Sequence, residues 1–401
     1  MSTADIVLDS NKQRKRRILW KCALGNTIQD VLNSRIGWAQ TSTDDWQFYW
    51  VSREWMNSTF DRYKFKEGQV VCHFRNDYEL CRKDSLIKNH KKYRKSCDST
   101  TNLDYLPASY VLPSEYHLFV EEFRKYPPDT IWIMKPVAGA QGKGIFLFKK
   151  LKDITEWKKK DRPSNAETSP YVVQSYISRP YLIGGKKFDI RLYVLVTSFR
   201  PLNVWVHREG FARFSHSRYS IESFEDAFVH LTNVAIAKSA ADYDPERGLK
   251  WSLDKLKRYI HATYGIEAVD KLLEKIAGII IYSLKSVQSL IIQDSHCFEL
   301  YGYDILLDED LKPWLLEVLL PESGSRKHFH ASGMRAINLS DFTLYRRIGN
   351  ETNVAGFDLL IKNNESVYRP ESTTNASINP ECFVPKLNIR LGNYVAPMQM
   401  P

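Results

Sequence analysis

Two carboxylates, Asp304 and Glu317, stand in a stretch that is otherwise apolar or turn-forming: Tyr301-Gly-Tyr-Asp-Ile-Leu-Leu-Asp-Glu-Asp-Leu-Lys-Pro-Trp-Leu-Leu-Glu317-Val318. The apolar runs Ile305–Leu307 and Trp314–Leu316 have strand length, and Asp308-Glu309-Asp310 supplies turn chemistry between them. Such a hairpin sets Asp304 and Glu317 near one another on adjacent strands. Carboxylates embedded in apolar sequence are costly to bury unless a cation or base compensates them. A turn cap and a lysine ion pair are the plain compensations; a hard metal ion is the chemical one.

Upstream, Thr130-Ile-Trp-Ile-Met-Lys135-Pro136 reads as a buried strand that delivers a cation, and Val137-Ala-Gly-Ala-Gln-Gly-Lys-Gly144 follows it before a second strand, Ile145–Phe148. Glycines let backbone amides approach a phosphate closely, with Lys135 and Lys143 to neutralise it; a plain flexible hairpin is the alternative. The Walker spacing GxxxxGK[ST] fails at Gly144, and no long helix follows as in a dinucleotide fingerprint. In Lys187-x-Asp189-x-Arg191 the two-residue period puts three charges on one face of a strand that continues as apolar Leu192–Val196. Arg213 and the cluster His230-Leu-Thr-Asn233 add to the inventory. Together, cations suited to a polyphosphate and carboxylates suited to magnesium describe phosphoryl transfer. Protein-kinase motifs and the nucleophile patterns of hydrolases are missing from the sequence.

These residues need elements to hold them. The chain has 401 residues, enough for more than one subdomain, with 43% hydrophobic and 26% charged residues. Its formal charge of +10 favours an anionic partner. Six cysteines without CxxC spacing read as reduced thiols, and no apolar run has the length of a membrane span, which predicts a soluble intracellular protein. Residues 1–17 read as a basic arm. Aromatics between Trp38 and Trp50 suit a small α/β lobe, and Pro113–Lys125 has helical spacing. Lys88-Asn-His-Lys-Lys-Tyr-Arg-Lys95 is a solvated helix face or a grip for an acidic polymer. Tyr171–Ile177 and Asn203–His207 read as strands, and Trp251–Asp294 as the clearest helical region. Residues beyond about 356 read as a poorly ordered tail.

Trp132-Ile-Met-Lys-Pro136, Gln141-Gly-Lys-Gly-Ile145, Lys187-Phe-Asp-Ile-Arg191, His230-Leu-Thr-Asn233 and Gly302-Tyr-Asp304 through Pro313-Trp-Leu-Leu-Glu317 resemble, in order, the motifs of the tubulin–tyrosine-ligase-like enzymes. The resemblance spans roughly residues 18–318 and points to the small polyglutamylase branch. It implies an α/β (α+β) ATP-grasp fold with small N-terminal (18–105), central (106–195) and C-terminal (196–355) subdomains. It also implies ATP and Mg2+ as cofactors, with an acyl phosphate on the acceptor attacked by free L-glutamate. The acceptor would be a glutamate in the acidic C-terminal tail of tubulin, with accessory subunits as further partners. Neither nucleic acid nor membrane is expected. Location would be the cytoplasm and cytoskeleton, including the cilium axoneme or basal body.

Residue by residue, the resemblance assigns Lys135, Gln141 and Gly142 to the ATP phosphates and Gln174, Ser175, Tyr176 and Ile177 to the adenine hinge. Lys187 goes to the adenine, Phe188 to the nucleotide site and Asp189 to the ribose. Arg191 faces the γ-phosphate, and Thr232 and Asn233 line the nucleotide. Arg213 and Lys250 hold the incoming glutamate, and Asp304 and Glu317 ligate magnesium. One position departs from the family pattern: Glu-Val-Asn becomes Glu317-Val318-Leu319, and leucine carries no ligand atom. The departure is open to three readings: a weakened or inactive ligase that still binds ATP and tubulin, a substitute ligand such as Glu322, or a local frame or splice break after Val318. Reduced activity is expected of the chain as it stands.

Overall fold

A computed structural model describes residues 17–24, 27–98, 101, 103–138, 142, 144–154, 170–222, 226–232, 234–240, 249–320, 353–354 and 356–367. Its first unit is a parallel sheet of β1 (Ile18–Cys22), β2 (Trp38–Gln40), β3 (Phe48–Trp50) and β4 (Val70–Val71), in the order β2-β1-β3-β4. The aromatics form its core: Trp20, Trp46, Phe48 and Trp50 are buried, and Trp46 stacks on Tyr63 with ring centroids 5.6 Å apart. The basic run falls on the helix Lys83–Ser96, whose inner side is Leu86, Ile87, Asn89 and His90.

The second unit is antiparallel: β5 (Ser109–Leu112), β6 (Trp132–Pro136), β7 (Phe146–Phe148) and β8 (Tyr171–Ser175), in the order β5-β8-β6-β7. The predicted helix, observed at Tyr116–Phe123, buries Phe119 against Trp132 at 5.1 Å.

The third unit is a sheet of ten strands. These are β9 (Leu182–Ile183), β10 (Lys186–Phe199), β11 (Leu202–His207), β12 (Phe211–Phe214), β13 (Lys250–Ser252), β14 (Glu299–Leu307), β15 (Pro313–Leu319), β16 (Asn353–Val354), β17 (Phe357–Lys362) and β18 (Glu365–Ser366). β10 is its axis. One edge pairs with β14; the other pairs with β12 over its first half and with β11 over its second. The hairpin predicted around Asp308 is present. The Asp308 side chain accepts hydrogen bonds from the Asp310 and Lys312 amides (3.1 and 2.9 Å) and from the Trp314 indole (2.9 Å).

Three expectations need correction. The boundary at 195 falls inside β10, because the apolar run Leu192–Val196 continues the Lys187–Arg191 strand without a break; the second sheet already ends at Ser175. The supposed tail supplies β17, which pairs with β11 and buries Phe357, Leu359, Leu360 and Ile361. The helical stretch is two helices, Leu253–Tyr264 and Ile266–Val287, because Gly265 takes φ +83°, and Trp251 belongs to β13.

The first unit is pinned to the third. His73 lies 2.8 Å from Glu299 on β14, whose carboxylate also accepts the Phe74 amide at 3.1 Å, and Phe48 stacks on Phe298 at 5.7 Å. His73, Asp77 and Glu299 are buried together, and Arg53 joins them 3.2 Å from Asp77, which makes the group an ion-pair network. Among the described residues no cysteine pair is joined in a disulfide, and Cys382 lies outside them. Among the described residues, no helix is long and apolar enough to cross a membrane.

Candidate active site

Alternation along β10 decides which side chains meet. Lys187, Asp189 and Arg191 share one face, as the spacing predicts. Cross-strand register then sets their neighbours: Asp189 stands opposite Arg213, which stands opposite Lys250, and Arg191 stands opposite Asp304, which stands opposite Glu317. Two rows of charge therefore run across adjoining strands at right angles to β10.

The rows are cross-linked. Arg213 holds Asp189 with two hydrogen bonds of 2.7 Å and reaches Asp304 at 2.6 Å. Arg191 grips both oxygens of Asp304, one of them at 2.8 Å. The Thr232 hydroxyl donates to Asp189 at 2.6 Å. Burial alone would raise the carboxyl pKa of Asp304, but Arg191 and Arg213 outweigh it and hold the group at about 2.

The second unit adds a further cation beside those of the sheet. Lys135, at the end of β6, donates to the Gln174 side chain at 2.8 Å, and Gln174 is held in turn by Ser109 at 2.8 Å. Lys187 donates to the Tyr176 hydroxyl at 2.9 Å and to the His230 carbonyl at 3.0 Å, and Tyr176 is 2.8 Å from His230 Nδ1. Burial and then Lys135 bring the pKa of Lys187 down to about 7, with Asp189 opposing both. Burial likewise brings Lys135 to about 8, with Glu317 opposing and Lys83 assisting. Lys250 also falls to about 8 through burial and then through Arg213, Lys238 and Arg191. Amines held this close to neutrality by burial and by other cations gain most from an incoming anion.

Most expected residues converge. Ser175 and Ile177 flank Tyr176 where β8 ends. Gly142 follows β6 with φ +79°. Gln141 and Asn233 lie outside the described residues, as does Glu322. Phe188 is a correction: it points to the opposite face of β10 and packs on Phe214 (5.3 Å) and Tyr181 (6.2 Å), because its neighbours Lys187 and Asp189 take the site face. Lys83 was missed, and His230 was singled out within its motif without a role of its own. Lys83 lies 3.3 Å from Glu317, and the His230 ring and carbonyl hold Tyr176 and Lys187. The Arg82-Lys-Asp84 cluster opening a helix was the available signal for Lys83.

The sequence profile of the Tubulin-tyrosine ligase family matches residues 62–330. The chain belongs to that family. Its members are ligases of ATP-grasp-like fold, and the three units described above form its mixed α/β frame. A Caenorhabditis elegans relative, "Probable tubulin polyglutamylase ttll-9", is 60% identical over 411 residues, covering 100% of this chain and 97% of its own. A Bos taurus relative, "Probable tubulin polyglutamylase TTLL9", is 44% identical over 88% of this chain and 86% of its own. A Tetrahymena thermophila relative, "Probable alpha-tubulin polyglutamylase Ttll1", is 43% identical over 77% and 79%. In the ligase family, the charged rows on β10, β12, β14 and β15 are the candidate active site.

Asp304 and Glu317 offer hard oxygen donors on paired strands. Asp304 is buried and held ionised by two arginines, and half-buried Glu317 lies 3.3 Å from the Lys83 ammonium. That donor set suits magnesium. Leu319 shares the face of Glu317 by alternation and puts an apolar side chain beside it.

Proposed function

We propose that the chain is an ATP-dependent tubulin polyglutamylase. It would join free L-glutamate to side-chain carboxylates of the acidic tubulin tail through an acyl phosphate. The observation that carries this reading is the ladder Asp189–Arg213–Asp304–Arg191, placed beside Lys135 and Lys187. The names of the relatives, which cover nearly the whole chain, support the substrate.

Within this reading Lys135 and Arg191 hold the phosphates, and Lys187, positioned by Tyr176 and His230, meets the adenine. Gln174, Ser175, Ile177, Thr232 and Asn233 line the nucleotide, and Gln141 with Gly142 covers it. Magnesium, held by Asp304 and Glu317, would screen the phosphate charge. Arg213 has two duties: it steers Asp189 toward the ribose side, and with Lys250 it meets the carboxylates of the incoming glutamate. Arginine and lysine stabilise the charge that grows on the transferred phosphoryl group, and binding orients the amine for attack. Leu319 lowers activity by removing one donor beside Glu317.

The location follows the substrate: the cytoskeleton, with the cilium axoneme or basal body as its specific place. Incubation of the full chain with tubulin, Mg-ATP and labelled glutamate tests the reading. ATP-dependent label in the tubulin tail is the expected result. Nucleotide binding with no label, both in this chain and in one carrying the family's Asn segment after Val318, would overturn it.

A further inference from the structure

Helix Lys83–Ser96 begins at the site, where Lys83 meets Glu317, and runs away from it. Lys88, Lys92, Arg94 and Lys95 are exposed on its outer side. Among the described residues, none of these four is paired with an acid. The neighbouring acids are engaged elsewhere: Asp84 with Arg82 at 2.9 Å, Glu79 with Asn89 at 2.9 Å and Glu115 with Lys91 at 3.0 Å. A basic helix face is ordinarily just solvated. This one is uncompensated, and its first turn enters the candidate active site.

We propose that the outer side of this helix docks the acidic segment flanking the acceptor side chain, with an extended run of glutamates or aspartates lying along Lys88, Lys92 and Lys95. The proposal rests on the ligase reading above, whose acceptor is an acidic tail. At 3.6 residues per turn, Lys88, Lys92 and Lys95 lie on one side, spread over about 10 Å. From Lys83 to Lys95 the helix rises about 18 Å, the length of roughly five residues of extended chain. Beneath the ridge, burial first and then Arg94 and Lys91 bring the pKa of His90 down to about 4, with Asp104 opposing.

The test uses the full chain and a fluorescent acid-rich peptide followed by anisotropy, with no nucleotide needed. The triple variant Lys88→Glu, Lys92→Glu, Lys95→Glu should weaken peptide binding by about tenfold or more and flatten its salt dependence. Lys→Gln at the same positions should shift binding in the same direction by a smaller factor. The thermal shift produced by ATP should stay as in the unaltered chain, which reports that the fold and the nucleotide site are intact. Peptide affinity within about twofold of the unaltered chain in both variants would overturn the docking surface. In the unaltered chain, peptide binding without any glutamate transfer would instead sink the ligase reading and leave the surface standing.

Discussion

Arg213 on β12 reaches across the sheet to Asp304 on β14 at 2.6 Å while its other hydrogen bonds hold Asp189. Arg191 completes the group from the strand between them. Cation and carboxylate thus alternate in a buried cluster, so loss of one member strands the charge of the others. Asp304→Asn should cost about 3–5 kcal/mol of stability in the free protein. ATP should recover part of the loss by supplying anionic oxygens. Thermal unfolding with and without nucleotide measures both effects; an unchanged melting temperature in the free variant would contradict the clustered geometry.

The same carboxylate sets an acid limit. Its folded pKa of about 2 lies below the ordinary 3.8. A depressed carboxyl contributes stability that is complete above the unfolded value and disappears as pH falls through the folded one. Stability should therefore drop by an amount on the order of 2 kcal/mol between pH 4 and 2, and the drop should be absent from Asp304→Asn. Denaturant titrations at several acidic pH values compare the two.

Lys135 and Lys187 add a second rise of stability with pH, of the same sign, above neutrality. Both lose their protons at about 8 and 7 in the folded chain, against 10.5 ordinarily. The folded state then holds fewer protons than the unfolded between those values, so the free protein gains stability as pH rises across that window. A polyphosphate reverses the preference by favouring the ammonium forms. ATP binding at pH 8 should take up about one proton, and affinity should fall as pH rises further. Calorimetry in buffers of different ionisation enthalpy reads the sign; proton release at pH 8 would exclude these lysines from the phosphate site.

Gly302 and Gly210 both crowd Arg191, in different ways. A Cβ at Gly302 would stand 3.3 Å from Arg191 Cδ and 3.5 Å from its Nε, whereas one at Gly210 would stand 2.5 Å from the Arg191 backbone oxygen. Gly302→Ala should displace the guanidinium and lower kcat by about tenfold while costing less than about 1 kcal/mol of stability. Gly210→Ala presses on backbone and should cost about 2–3 kcal/mol, with activity per folded molecule less affected. Kinetics alongside chemical denaturation separate the two.

Leu319 makes a prediction about metal demand. Leu319→Asn restores one oxygen donor beside Glu317, and Glu317→Gln removes charge from another. The first should lower the magnesium concentration needed for half-maximal ATP binding, and the second should raise it. Activity in Leu319→Asn should rise along with the metal affinity. Nucleotide affinity measured across a magnesium series distinguishes the three chains.

The site face of β10 and the hairpin bearing Asp304 and Glu317 were legible because period-two alternation and turn residues are local signals. Phe188 was misread for a related reason: a motif names consecutive residues, whereas a strand sends them to opposite faces. Lys83 was invisible as a partner because Glu317 lies far along the chain, and only the packing of the first unit on the third brings them together. β17 did carry a signal. Phe357-Asp-Leu-Leu-Ile361 is a short apolar run, and Asn363-Asn364 has φ of 50° and 72°, the left-handed pair of a tight hairpin turn. Asn and Ser scattered through the residues around it masked that signal.

The placement of β17 bears on how this protein is cut for the bench. The profile match stops at residue 330, yet the second edge of β11 finds its partner in β17 at 357–362. A fragment ending at the match would expose the unpaired amides and carbonyls of Val204–His207 beside the apolar surface that Leu359 and Ile361 cover in the full chain. Open edges of that kind recruit other chains, so such a fragment should aggregate. A soluble recombinant piece has to extend at least to Val367, whose amide hydrogen-bonds Leu360 at 3.0 Å.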